Sequence, residues 1–184
     1  MANYSWSKKL FLKINVRLGR NRVLDAFMTF CARWLIVFLF GLSLFFLSPG
    51  SLLPSINVYA FFGFLITGLM SVLALNFSFG LAWKHERPII EFPHSKQLCR
   101  TWQTWKSFPS DHTALSFVLA FTIWTYSARL GIPIIAFVLA ILISLSRVYV
   151  GVHYPRDILG GIFTAVICFL LSPWLYPAFN VFFN

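Results

Sequence analysis

The sequence predicts an all-α integral membrane bundle, with about five transmembrane helices and an N-terminal amphipathic helix lying in the membrane interface. Three observations predict it. Hydrophobic residues make up 59% of the 184 and charged residues only 11%, against roughly 45–50% and about 25% in a soluble domain. Five apolar runs each approach the roughly 20 residues that cross a hydrocarbon core. The ionisable residues gather where those runs begin and end. A single domain covering 1–184 is expected, with no internal repeat, low-complexity stretch or separate module.

Residues 5–22 are too charged to span. On a helix, Lys9, Lys13, Arg17 and Arg20 form one stripe and Leu10, Phe11, Ile14 and Leu18 another, the pattern of a helix lying in the interface. The transmembrane core is expected over 24–177, with spans near 24–47, 56–82, 110–128, 131–148 and 155–177. The first carries Arg33, expected to face protein or to snorkel. Pro49, Gly50 and Pro54 mark the turn into the second span. Gly131 and Pro133 mark the turn between the third and fourth, and Pro155 suits the first position of the last helix. No cleavable leader is expected, because the basic N-terminus lacks an apolar run before an Ala-x-Ala site. Cys31, Cys99 and Cys168 are scattered and fit neither a disulfide framework nor a metal-ligand spacing. The net charge of +10 does not indicate nucleic acid, since no polar domain exists to present it; an anionic lipid surface or a phosphorylated substrate fits better.

Three segments carry the chemistry: Lys84-His85-Glu86-Arg87-Pro88, Phe108-Pro109-Ser110-Asp111-His112, and Ser146 through Asp157. Arg87 ends the second span, His112 opens the third, Arg147 ends the fourth, and His153 and Asp157 open the fifth. Alternating direction brings all of them to one face. Ionisable groups are costly in lipid, so such a cluster marks a functional site.

The residue types suit a phosphate. Arg87 and Arg147 offer planar forks of donors to its oxygens. Ser110 stands at a helix start, where free N–H groups and the dipole favour an anion, although a Ser there is also an ordinary N-cap. His153 and Asp157, four residues apart at a helix entry, let a carboxylate hold one imidazole nitrogen and leave the other free, as in an activated nucleophile or base. His112 is then available as general acid. Zinc is disfavoured, because no His-x-x-x-His or Cys pair supports it and the neighbouring Arg residues oppose a cation. The connector 84–109, with Lys96, Arg100, Lys106, Trp102 and Trp105, is expected to face the substrate.

On these motifs the chain resembles the type 2 phosphatidic acid phosphatases, the membrane branch of a superfamily shared with vanadium haloperoxidases. That family carries Lys-x6-Arg-Pro, Pro-Ser-Gly-His and Ser-Arg-x5-His-x3-Asp. The third motif is complete here, from Ser146 and Arg147 through His153 to Asp157. The first matches at Arg87-Pro88, but its Lys falls on Gly80; Lys84 is a nearby candidate for that role. The second reads Pro109-Ser110-Asp111-His112, with Asp in place of Gly. The resemblance covers roughly 24–177. It implies that His153 attacks phosphorus to form a phosphohistidine, that Asp157 orients it and that His112 protonates the leaving group. It implies further that Arg87, Arg147 and Ser110 hold the phosphate, and that no cofactor or metal is required. Asp111, the missing Lys and the stretch Val23-Leu24-Asp25-x-x-Met28 resemble the undecaprenyl-diphosphate phosphatases of the bacitracin-resistance type. A carboxylate at 111 repels an anion unless it is paired; Lys84 and Lys106 are the candidates for that pairing.

The implied activity is hydrolysis of a lipid phosphate or diphosphate at a bacterial plasma membrane, with conversion of undecaprenyl diphosphate to undecaprenyl phosphate as the leading expectation. The alternatives are other lipid phosphates (phosphatidic acid, phosphatidylglycerol phosphate, lipid A), a lipid phosphotransferase, and a lipid-binding protein without activity. Two criteria disagree on sidedness. Lys8, Lys9, Lys13, Arg17, Arg20, Arg22, Lys96, Arg100 and Lys106 share the site face, which the positive-inside rule places in the cytoplasm. The resemblance implies the exterior.

Overall fold

The structure is a computed structural model, and it describes residues 4–45, 58–101, 105–127 and 130–175. Eight helices make up the described fold: α1 (Trp6–Asn15), α2 (Arg22–Arg33), α3 (Leu35–Phe45), α4 (Val58–Ala82), α5 (Pro88–Glu91), α6 (Asp111–Tyr126), α7 (Gly131–Tyr149) and α8 (Pro155–Leu175). No strand occurs among the described residues.

The bundle is built around α6. Its residues Ala114, Phe117, Val118, Leu119, Ala120 and Ile123 are all buried, and it packs against α3, α4, α7 and α8. Small residues such as Ala136, Ala140 and Ala165 are fully buried in the same core. They let neighbouring helix backbones approach closely, which is the usual basis of helix association in lipid. Large side chains such as Phe38, Met70, Val138, Leu145, Phe163 and Leu170 point outward and are more than half exposed. An apolar exterior around a packed interior is what a lipid solvent selects.

The expected five spans are met only in part. Helices α4, α7 and α8 contain segments long and apolar enough to cross a membrane. The run expected at 24–47 is broken: α2 and α3 meet at Trp34 with a bend of 49°, and only together do they make a fourth crossing. Trp34 closes α2, its N–H donating to the Phe30 carbonyl. Helix α6, at 16 residues, rises about 24 Å and is shorter than a full span. The turn marked by Pro49, Gly50 and Pro54 lies outside the described residues. Gly131 opens α7 and Pro133 lies in its first turn, so the link between α6 and α7 falls before both. Pro155 stands at the start of α8, as its fixed φ favours.

The N-terminal segment differs from expectation in what it packs against. Helix α1 ends at Asn15 and docks on protein, against α7 and α8. Phe11 and Leu18 are fully buried, whereas Leu10 is 42% exposed, so the predicted apolar stripe does not face lipid as a unit. Phe11 meets Tyr154 edge-to-face at 5.2 Å. Ser7 Oγ accepts from the Arg156 N–H. Asn15 exchanges two hydrogen bonds with the Lys96 backbone, at 2.7 and 2.9 Å. The docked side therefore combines three members of the apolar stripe, Phe11, Ile14 and Leu18, with polar side chains that satisfy backbone groups of Lys96 and Arg156.

Asn21 caps α2 through bonds from the Val23 and Leu24 N–H groups. Asp25 then ties two ends together, accepting from the Gly19 N–H and the Tyr149 hydroxyl. Gly151, at φ +84°, makes the turn from α7 toward α8, a backbone state that favours glycine. The Lys96 carbonyl packs where a side chain at 151 would stand.

Candidate active site

One end of the bundle carries the polar segments, and backbone bonds lock them to each other. The Ser107 N–H donates to the His85 carbonyl, Leu98 to Val150, and Ser110 to Asp157, at 2.8–3.0 Å. A cavity of about 560 Å3 opens there. Arg87, Asp111, His112, Arg147 and His153 line it, together with Ala32, Arg33, Trp34, Cys99, Arg100, Thr101 and Leu115. Five sequence-predicted residues from three separate segments therefore meet at one wall.

His153 is 3% exposed and lies in the link before α8. Its Nδ1 is 3.3 Å from Asp157 Oδ2. That oxygen also accepts from the Ser107 hydroxyl at 2.6 Å and the Tyr154 N–H at 2.9 Å. A carboxylate oxygen with three donors converging on it is fixed in place, and it fixes the imidazole in turn. Arg156 Nε stands 3.6 Å from the other oxygen of Asp157. Opposite the carboxylate, His153 Nε2 lies 3.5 Å from Arg87 Nη1. Burial is the main force on His153 and pushes its pKa down to about 4, with Asp157 opposing and the arginines adding to the fall. The ring is neutral at pH 7, and when Nδ1 carries the proton toward Asp157 the Nε2 lone pair meets, on the protein side, only the long 3.5 Å approach of Arg87 Nη1.

Both arginines are held by one nitrogen. Arg87 Nη1 donates to the Val152 carbonyl at 3.1 Å, and Arg147 Nη1 to the Ala32 carbonyl at 2.9 Å. Each side chain is 7% exposed. Among the described residues, Nε of each is buried without a protein partner. Burial lowers the Arg87 pKa, while Asp157 and Asp111 raise it. Spare donors on two buried cations are suited to the oxygens of an anion.

The remaining predicted residues fall out differently. Ser110 is fully buried at the N-cap of α6, where its hydroxyl accepts from Thr113 at 3.2 Å. It lies behind the cavity wall and does not line it. Lys84 is exposed and away from the cavity. Asp111 pairs with Lys106, whose Nζ is 2.9 Å from Oδ1. Of the two lysines that the sequence offered for this pairing, it is Lys106 that takes it. His85 packs against the rings of Trp83 and Phe108.

Sequence reasoning missed Ser107, the second side chain on Asp157, and Arg33, Trp34 and Thr101 on the cavity wall; Arg100, named in the connector expected to face the substrate, also lines the cavity. Ser107 stands beside a named motif but has no pattern of its own. Arg33 and Trp34 reach the wall because the helix breaks between α2 and α3. A second polar cluster braces the site from outside: Glu91 accepts from the Lys8 ammonium and from the Tyr154 hydroxyl. Burial pulls Glu91 upward, but these two partners outweigh it and hold its carboxyl below the usual range. Among the described residues, no group of three or more His, Cys, Asp or Glu is arranged to hold a metal ion.

Residues 59–180 match the family model described as the PAP2 superfamily. That is more than half of the chain, and the chain belongs to this superfamily. The similar curated relatives include two bacterial proteins named BcrC. The undecaprenyl-diphosphatase BcrC of Bacillus subtilis is 31% identical over 108 residues, covering 55% of this chain and 50% of that protein. The bacitracin transport permease protein BcrC of Bacillus licheniformis is 28% identical over 156 residues, covering 84% of this chain and 73% of that protein. The chain thus spans about half to three quarters of these relatives. Among solved structures, Aquifex aeolicus LpxE superposes with a TM-score of 0.73 at 30% identity, covering 94% of this chain and 97% of that one.

Proposed function

We propose, for this member of the PAP2 superfamily, a membrane lipid phosphatase that converts undecaprenyl diphosphate to undecaprenyl phosphate and inorganic phosphate through a phosphohistidine at His153. The observation that carries the reading is the buried His153–Asp157 pair, whose free imidazole edge looks into a cavity bordered by Arg87, Arg147 and His112.

Nε2 of neutral His153 attacks the terminal phosphorus, and the bond from that phosphorus to the bridging oxygen breaks. The imidazole becomes cationic as the new P–N bond forms, and Asp157, 3.3 Å from Nδ1, stabilises that charge. His112 on the same wall, which must enter this step as the imidazolium held against the bound anion, donates a proton to the departing oxygen. The spare donors of Arg87 and Arg147 hold the phosphoryl oxygens as their charge grows, which is the usual main source of catalysis in phosphoryl transfer. Water then attacks the phosphorus, giving its proton to His112 and so restoring the acid; the P–N bond breaks, phosphate leaves and neutral His153 is regenerated. Charge stabilisation by arginine leaves no step that calls for a metal.

The lipid is argued from Asp111 and from the B. subtilis relative named as an undecaprenyl-diphosphatase. A phosphate-release panel on purified protein tests it, comparing polyprenyl diphosphate, phosphatidic acid, phosphatidylglycerol phosphate and lipid A. Polyprenyl diphosphate is expected to be cleaved fastest. In the same assay His153→Ala should lose release by several orders of magnitude. A His153→Ala protein that keeps more than about a tenth of the wild-type rate removes the nucleophile assignment. Phosphate passed to an acceptor lipid without free release would make the protein a phosphotransferase.

A further inference from the structure

Asp111 faces the cavity, yet its carboxylate is gripped from behind. Lys106 Nζ lies 2.9 and 3.2 Å from its two oxygens. Asn76 Nδ2 donates to Oδ1 at 2.9 Å. Lys106 is 5% exposed and Asn76 fully buried. Gly80 follows Asn76 by one turn of α4 and so shares its face. A Cβ at position 80 would stand 2.6 Å from Lys106 Cδ and 3.1 Å from Cγ. The lysine stem lies where any larger residue at 80 would project. Asn76, Gly80, Lys106 and Asp111 thus form one built unit: a helix face shaped to receive a lysine, aimed at a carboxylate on the cavity wall.

We propose that Lys106, seated over Gly80, is a positioning residue that makes the cavity acceptable to a phosphate anion by cancelling the charge of Asp111. This rests on the phosphatase reading above. A bare carboxylate on that wall would oppose the attraction exerted by Arg87 and Arg147. Lys106 does not itself line the cavity, so it acts through Asp111. A pair kept only for stability would need neither the cavity-facing carboxylate nor the glycine, and buried ion pairs are weak contributors to stability in any case.

The test is steady-state kinetics on the full chain in detergent, with polyprenyl diphosphate as probe. Lys106→Met keeps the apolar stem and removes the charge. It should raise KM by about tenfold or more, the scale of unit-charge repulsion over several ångströms in a partly screened site, with kcat changed by about threefold at most. Adding Asp111→Asn should bring KM most of the way back. Gly80→Ala, which leaves Lys106 in the chain but displaces its stem, should also raise KM, and the same Asp111→Asn change should relieve it. This second pair carries the comparison if Lys106→Met does not purify folded. An unchanged KM in both Lys106→Met and Gly80→Ala overturns the proposal, as does a double variant no better than its single parent. A lower melting temperature with unaltered KM would show a structural pair and overturn it equally. His153→Ala run alongside separates the two failures: loss of turnover there with an unmoved KM in Lys106→Met sinks this inference and leaves the phosphatase standing.

Discussion

Asp157→Asn is the perturbation with the sharpest expected consequence. The shape of the side chain is kept and its charge is lost. In the native protein Oδ2 accepts from His153 Nδ1, Ser107 Oγ and the Tyr154 N–H. An amide at 157 must either turn its NH2 toward those donors or offer them a neutral oxygen. The larger loss falls on the reaction. When His153 carries the phosphoryl group its ring is cationic, and Nδ1 stands 3.3 Å from the carboxylate. At an effective dielectric of about 20, two unit charges at that separation attract by about 5 kcal/mol. That is about 10³–10⁴ in rate. The assay is phosphate release under saturating substrate, with thermal unfolding measured on the same preparation. Ser107→Ala is the control, since it removes one donor and keeps the charge; a fall of about tenfold at most is expected there. An Asp157→Asn protein within tenfold of the wild-type rate, with unaltered stability, would refute the argument that the carboxylate stabilises a charged histidine.

Two further outcomes follow from the same geometry. Because burial holds His153 at about 4 and the neutral ring is the nucleophile, activity should be lost as His153 gains a proton; the acid limb of kcat/KM then falls near pH 4, and a limb centred near 6.5 would mean that the ring is not desolvated as the structure has it. Activity should survive saturating EDTA and be inhibited by vanadate, which mimics five-coordinate phosphorus; complete loss on chelation that added Mg2+ or Zn2+ restores would overturn charge stabilisation by Arg87 and Arg147.

The convergence of the three segments was legible because it depends only on where apolar runs start and stop. A residue at the end of one span and another at the start of the next share a face whatever the packing. Arg87, His112, Arg147 and His153 reach one cavity for this reason. What the sequence could not convey were features set by tertiary contact. Ser110 belongs to its motif and Lys84 stands near one, yet at the N-cap of α6 the serine is buried, and in the link between α4 and α5 the lysine faces solvent. The break at Trp34 has no proline or glycine to announce it; Trp34 is followed by an unbroken apolar run, and periodicity carries straight through. Helix α1 read as lipid-facing because its partners, the Lys96 backbone and Tyr154, are remote in the chain. The Lys106–Asp111 pair lay between these extremes. The sequence narrowed the partner to two lysines, and only the face of α4 that holds Asn76 and Gly80 distinguishes them.

The charge arrangement gives the site its direction. Arg33, Arg87, Arg100 and Arg147 all line the cavity, and Asp111, the one carboxylate on its wall among the described residues, is already matched by Lys106. Asp157 sits behind His153 with its proximal oxygen fully committed. The cavity therefore presents net positive charge, and two of its four arginines, Arg87 and Arg147, are held in place by carbonyl contacts before any anion arrives. Donors that are already oriented need no reorganisation as charge develops on a phosphoryl group, and in a site partly shielded from water each is worth more than it would be in bulk solvent. The protein bears the cost of desolvating two arginines when it folds, as the lowered pKa of Arg87 registers. A ligand that brings the missing negative charge recovers part of that cost on binding. The same reasoning explains why a neutralised Asp111 is tolerable where a bare one would not be: it leaves the sum of charge on the wall in favour of an anion.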